Sequence, residues 1–272
     1  MLKLTGTLVL VGAGKMGGAM LEGWLKSGAD PTRIVAFDPA PPAEVKSTLE
    51  AKGVRLNPRI SDITDTEVII IAVKPQVMED VLPGIVPLKT SKPLILSVAA
   101  GKTIASYERH FGADAAVIRT IPNTPAAVGR GITAMASNPN VSASQMELAR
   151  QLLSAVGEVV TVDDEALIDA VTAVSGSGPA YVFYLTECLA AAGEKVGLPA
   201  GLAMQLARAT VAGSGELMRQ SGIEAATLRH NVTSPKGTTY AALQVLMADD
   251  GMQPLFDKAI DAATRRSREL AS

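Results

Sequence analysis

A chain of 272 residues, 47% hydrophobic and 19% charged, carries enough apolar side chain for one large or two ordinary cores, which excludes a disordered protein. Its formal net charge of -2 is mixed, with no basic stripe, and one Trp, four Tyr and four Phe leave little for base stacking, so nucleic acid is not an expected partner. Cys188 stands alone and His110 and His230 lie far from it, which excludes a disulfide framework or a zinc cluster and fits a reducing, cytoplasmic setting with no metal.

The N-terminal residues carry no secretory pattern before the first strand. The longest apolar runs, 68–73 and 94–100, fall far short of the ~20 residues that a membrane span requires, so no membrane role is expected. The run Thr7-Leu8-Val9-Leu10-Val11 leads directly into Gly12-Ala13-Gly14-Lys15-Met16-Gly17, and a helical pattern follows to about Ser27. This is the layout of a dinucleotide site. Gly12 permits the tight strand-to-helix turn, Gly14 lets the backbone approach a pyrophosphate, and Gly17 lets the helix lie close to the sheet. The phosphates would sit on the open amides and positive dipole end of the helix. A second strand-like run, 33–37, ends in Asp38, about twenty residues beyond Gly17, where an acid accepts hydrogen bonds from a ribose.

Further strands are expected at 68–73, 94–98 and 116–119, with helices at 43–52, 77–82 and 104–111 between them. The run 131–135, a helix over 142–156 and the run 159–162 close the series. Nearly continuous apolar strands alternating with helices predict a Rossmann doubly wound parallel sheet covered on both faces, spanning residues 1–162. After Asp163-Asp164 the strands stop. Residues 163–272 predict an all-α domain with helices over 165–174, 180–195, 201–219, 239–248 and 254–270. These helices are apolar over much of their circumference, which predicts a large subunit interface.

Ligands in such sheets lie beyond the carboxyl ends of the strands, so Lys74-Pro75-Gln76, Ala99-Ala100-Gly101-Lys102-Thr103 and Ile121-Pro122-Asn123-Thr124-Pro125 are candidate cofactor loops. In the helical half, Ser234 reads as a helix N-cap and Pro235 as the first helical residue. The amides of Lys236, Gly237, Thr238 and Thr239 would then point outward as a carboxylate site. No Ser-His-Asp or Cys-His arrangement appears, which leaves chemistry supplied by a cofactor.

These residues together resemble the pyrroline-5-carboxylate reductase family along essentially the whole chain: Val11 to Gly17, Ala72 to Gln76, Ser97 to Gly101, Pro122 to Pro125, Ser175 to Tyr181 and Ser234 to Thr239. The resemblance implies hydride transfer from NAD(P)H to (S)-1-pyrroline-5-carboxylate, giving L-proline. It implies that Ser234, Gly237 and Thr238 hold the substrate carboxylate, that Thr239 lies near the ring nitrogen as the catalytic group, and that Asn231 and Glu165 lie near that pocket. It further implies that Gly12, Ala13, Gly14, Lys15, Met16 and Gly17 hold the pyrophosphate, that Ala72, Val73, Lys74, Pro75, Ala99, Ala100 and Gly101 line the ribose and nicotinamide, and that the helical half makes homodimers that assemble into decamers.

Three positions depart from the family pattern. Lys236 replaces the first Gly of Ser-Pro-Gly-Gly, where a lysine either strengthens an anion site or points to solvent, the second being favoured slightly. Arg59-Ile60-Ser61-Asp62 occupies the region where the family often has a ribose-binding Asn, so no role is transferred there. Asp38 stands where many members carry Ser or a basic residue for a 2′-phosphate, which predicts NADH used at least as well as NADPH. Two other readings are a β-hydroxyacid dehydrogenase, which needs a lysine that 178–184 lacks, and a non-catalytic dinucleotide sensor, which needs no carboxylate cradle.

Overall fold

The computed structural model describes residues 2–271. The first compact unit contains the alternating elements β1 (Thr7–Val11), α1 (Lys15–Lys26), β2 (Ile34–Phe37), α2 (Ala43–Lys52), β3 (Arg55–Leu56), β4 (Thr66–Ile71), α3 (Met78–Ile85), β5 (Leu94–Ser97), α4 (Ile104–Phe111), β6 (Ala116–Ile121), β7 (Gly131–Ser137), α5 (Ala143–Ser154) and β8 (Gly157–Thr161). The sheet order is β3-β2-β1-β4-β5-β6-β7-β8, so the winding reverses between β1 and β4. Ligands gather outside such a switch point.

Alternate residues of each strand enter opposite cores. Leu8, Leu10, Val68, Ile70, Leu94 and Leu96 pack with Met20, Leu21, Trp24 and Leu152 on one face. Val9, Val11, Ile69, Ile71 and Ile95 pack with Met78, Leu82, Tyr107 and Phe111 on the other. A strand buried on both sides has no polar face to show, which explains the unbroken apolar runs. Trp24 fastens the first core across 128 positions of sequence by donating from its indole Nε1 to the Leu152 carbonyl at 2.8 Å.

Three features differ from the expected pattern. β7 runs antiparallel to β6, because the connection 122–130 is shorter than the dozen or so residues that a parallel crossover needs. β3 is an unforeseen two-residue edge strand, too short to carry a period. The expected helix over 165–174 is instead a 3₁₀ turn, Glu165–Leu167, then α6 (Ile168–Val171) and a π-helical turn, Thr172–Gly176. Pro179 has no N–H for the carbonyl four residues earlier, so regular α-helical bonding cannot pass through this stretch unbroken.

By packing, the first unit runs to Gly176 rather than to residue 162, and it regains the end of the last helix from Ala263. The second unit, Ser177–Ala262, is helical: α7 (Gly178–Lys195), α8 (Ala200–Ser221), α9 (Ala225–Asn231), α10 (Thr238–Leu246) and the start of α11 (Met252–Ala271). The sequence pattern does not reveal α9, which is short and has no buried residue to set a period. Within this unit the buried positions are small, Ala190, Ala203 and Ala207, whereas Phe183, Tyr184 and Val245 are 61%, 66% and 71% exposed.

Candidate active site

The glycine turn is built by backbone contact. Gly12 has φ 93 and donates to the Phe37 carbonyl at 2.8 Å; a Cβ there would stand 2.7 Å from the Ala72 oxygen. A Cβ on Gly17 would stand 2.1 Å from the Gly12 oxygen. Gly14 is different, because a Cβ there would meet no heavy atom within 4 Å. The protein itself does not need that glycine; the open space before it does. Gly14 caps α1 without a side-chain bond, and the first intrahelical bond is Gly18 N–H to Gly14 O, so the amides of Lys15, Met16 and Gly17 have no acceptor within the helix. This cradle fits a pyrophosphate.

Beside it a cleft of about 760 Å³ opens beyond β1, β2 and β4, lined by Gly12, Gly14, Asp38, Asn57, Ala72 and Lys74 among others. Asp38 is fixed within it. Its Oδ2 accepts the Ala13 N–H at 2.7 Å and its Oδ1 the Ala40 N–H at 2.9 Å, so the carboxylate ties the end of β2 to the glycine turn. Asn57 holds the Asp38 peptide: its Oδ1 accepts the Asp38 N–H at 2.9 Å and its Nδ2 donates to the Asp38 carbonyl at 2.7 Å. Sequence reading misses Asn57. The Asn57-Pro58 pair signals only a turn, and nothing local shows that the turn faces Asp38.

The loops after β4 and β5, expected from the sequence to meet a cofactor, lie in the same unit. Ala72 N–H bonds the Val11 carbonyl at 2.7 Å, after which Val73 and Lys74 leave the sheet and Pro75 opens a 3₁₀ turn. Ala99 is buried, with its N–H on Ser97 Oγ at 3.2 Å, while Ala100 is exposed. Gly101 is buried at φ 72, and a Cβ there would lie 3.1 Å from the Leu270 oxygen of α11. Ser97 Oγ also meets the Tyr107 hydroxyl at 2.5 Å, and burial pushes that phenol up to about 12. Glu79 accepts from Lys102 at 3.2 Å and pairs with His110 at 3.0 Å; the Lys102 bond holds its carboxyl below the usual range.

Glu165 is placed at this edge too. Its Oε1 accepts from Ile104 N–H at 2.8 Å and from Arg119 Nη1 at 2.9 Å. Arg119, on β6, is buried; its Nη2 lies 4.0 Å from Asp169 Oδ1, which accepts from Ser267 Oγ at 2.6 Å. Arg119 is a second residue that sequence reading misses, although a lone Arg within an apolar strand is itself a signal. Asn123 serves the fold, with its Oδ1 accepting the Ile132 N–H at 3.0 Å.

In the second unit, Asn231 ends α9, and Ser234, Gly237, Thr238 and Thr239 follow within one bend. The helix start is corrected. Ser234 is not the N-cap and Pro235 is not helical, because Gly237 N–H bonds the Ser234 carbonyl at 3.0 Å and closes a β-turn with Pro235 and Lys236 at its corners. Gly237 caps α10, without a side-chain bond, so the helix's open amides begin at Thr238 and Thr239, and the Gly237 amide, bonded to the Ser234 carbonyl, does not join them as expected. Lys236 is exposed, at φ 60. A turn with Pro second wants Gly third, which gives the Lys236 departure its physical meaning.

A doubly wound sheet with a phosphate cradle and an apolar cleft at its switch point defines a dinucleotide-binding protein. Residues 7–101 match the family model for NADP oxidoreductase, coenzyme F420-dependent, and residues 165–270 match that for pyrroline-5-carboxylate reductase dimerisation. A pyrroline-5-carboxylate reductase of Pseudomonas aeruginosa is 41% identical over 98% of this chain and 97% of its own. The solved pyrroline-5-carboxylate reductase of Coxiella burnetii superposes with a TM-score of 0.91 at 32% identity, covering 99% and 100% of the two chains. That of Plasmodium falciparum, with NADP bound, gives 0.82 at 27% identity, covering 98% and 99%. The chain belongs to the pyrroline-5-carboxylate reductase family.

Two outcomes follow from the turns. Gly14→Ala should melt as the wild type does yet bind NAD(P)H at least about tenfold more weakly, a loss of about 1.4 kcal/mol, whereas Gly17→Ala should lower the melting temperature itself. Equal melting of the two variants would contradict the backbone contacts. Lys236→Gly should raise stability by up to about 1 kcal/mol, since the left-handed conformation costs a residue with Cβ about 1–2 kcal/mol and glycine's extra unfolded-state freedom offsets part of it. Thermal melting of the variant checks this.

Proposed function

We propose that this protein reduces (S)-1-pyrroline-5-carboxylate to L-proline. The observation that carries the reading is full-length membership of a reductase family, in a chain whose phosphate cradle and helix start at Thr238 both leave backbone amides open. A bound reduced nicotinamide supplies the hydride, which goes to C5 of the imine. Gly12, Ala13, Gly14, Lys15, Met16 and Gly17 hold the pyrophosphate, and Asp38 takes the adenine-side ribose. Ala72, Val73, Lys74, Pro75, Ala99, Ala100 and Gly101 line the remainder.

Ser234 and the amides at the start of α10, with Gly237 leaving room beside them, hold the substrate carboxylate, and the Thr238 hydroxyl adds a donor. Thr239 Oγ1 serves the ring nitrogen, which enters as iminium or takes its proton through this hydroxyl and water. Asn231 stands just before this group, at the end of α9, and the family resemblance assigns a substrate-binding role to Glu165 as well. Glu165 is already oriented, because Ile104 N–H and Arg119 both hold Oε1. The helical portion of 163–272 makes homodimers that assemble into decamers, which gives the exposed apolar side chains of α7, α8 and α10 a surface to cover. Among the described residues no helix is long and apolar enough to cross a membrane, and a cytoplasmic setting suits the single Cys188.

The purified protein should oxidise NADH when pyrroline-5-carboxylate is added and should not reduce NAD(P)⁺ with a 3-hydroxyacid; the reverse pattern would overturn the assignment. Asp38 predicts kcat/KM for NADH at least equal to that for NADPH. A preference of about tenfold or more for NADPH, about 1.4 kcal/mol, contradicts it. Thr239→Ala should lower kcat/KM about tenfold, the worth of one hydrogen bond, with a changed pH profile. An unchanged profile removes Thr239 from the chemistry.

A further inference from the structure

We infer that Asn57 determines the choice between NADH and NADPH by fixing the carboxylate of Asp38, a positioning role that rests on the reading of Asp38 as the ribose acceptor. β3 has two residues and pairs only with Val35 and Ala36 of β2, so the strand beside Asp38 has already ended. Asn57 N–H continues the ladder by one bond, to the Ala36 carbonyl at 2.8 Å, and the chain then turns at φ 49. Asn adopts this left-handed conformation at less cost than most residues with a side chain.

The turn brings the Asn57 carboxamide against the Asp38 peptide, where it accepts from the N–H at 2.9 Å and donates to the carbonyl at 2.7 Å. One side chain therefore replaces the missing strand partner, satisfying both backbone groups of Asp38 at once.

With its backbone held, Asp38 cannot swing away from the glycine turn, and each carboxylate oxygen is held by one amide, Ala13 for Oδ2 and Ala40 for Oδ1. A carboxylate has about four acceptor sites, so two remain to receive ribose hydroxyls. A phosphate on the ribose would instead meet a fixed negative charge. The lining of this cleft contains one cation, Lys74, on the far side of the winding reversal from β2, and the nearby Arg59 is paired with Asp62 at 3.0 Å. Discrimination therefore depends on keeping Asp38 in place, which is the task of Asn57.

The test is Asn57→Gly, because glycine accepts φ 49 freely and only the carboxamide is removed. Dissociation constants of NADH and NADPH would be measured on the intact protein by reduced-nicotinamide fluorescence, alongside melting temperature. The expected result is a fall of about tenfold in the ratio Kd(NADPH)/Kd(NADH), the worth of one or two hydrogen bonds, produced by weaker NADH binding. Because Asn57 acts through Asp38, Asn57→Gly should leave the ratio unchanged when made in an Asp38→Ser background.

A wild type that binds NADPH more tightly overturns the Asp38 reading and this proposal together. A wild type that favours NADH, with the ratio retained in Asn57→Gly, overturns the proposal alone. Equal weakening of both dinucleotides, or a variant that does not fold, also overturns it, since Asn57 would then serve the fold.

Discussion

Backbone meets backbone at the carboxyl end of β1, and this close approach governs everything placed around it. Gly12 passes within the reach of a single carbon of Ala72, and Gly17 lies against Gly12 in the same way, so α1 can begin immediately above the sheet with its first amides facing outward. Those two glycines satisfy the protein, and Gly14 leaves the space free. Because β1 lies between β2 and β4, the same point is where the winding reverses and where the cleft forms. One packing constraint therefore sets both the position of the cradle and the floor of the cleft.

The rest of the first unit holds that arrangement by polar contacts made between apolar layers. Asp38 closes the β2 side through the Ala13 amide, and Ser97, Tyr107 and Thr120 close the β5 side. Deeper still, Arg119 joins Glu165, with Asp169 and Ser267 behind it. A buried pair of this kind adds little net stability, since desolvation offsets much of the attraction, but losing one partner strands the other at a cost of about 3–5 kcal/mol. Its effect is to fix orientation. Glu165 is therefore held by two elements, α4 and β6, before any ligand is present.

The helical unit follows a different logic. Its buried positions are alanines, which let helices approach closely, and its large side chains point outward. A single copy leaves that apolar area in water, at roughly 25 cal/mol per Å² of lost burial, so association is energetically favoured. The match of residues 165–270 to a dimerisation family agrees with this reasoning.

Much of this was legible in the residues. Period-two burial on both faces forced the continuous apolar runs, so β1, β2, α2 and α4 could be bounded from the sequence, and the Gly12, Gly14 and Gly17 spacing named the cradle. Elements too short to show a period, β3 and α9, could not be read, and neither could the direction of β7, which depends on what a short connection can reach. The start of α10 was misread because Pro235 suits a turn corner as well as a first helical position, and only the bond from Gly237 to Ser234 distinguishes them. Sequence alone thus determined the family and the order of the longer elements, since these follow from local pattern and residue chemistry. Tertiary structure decided the partners of Asp38 and Glu165. The Asn57 side chain, the Ala13 amide and Arg119 meet them only once strands distant in sequence are laid side by side.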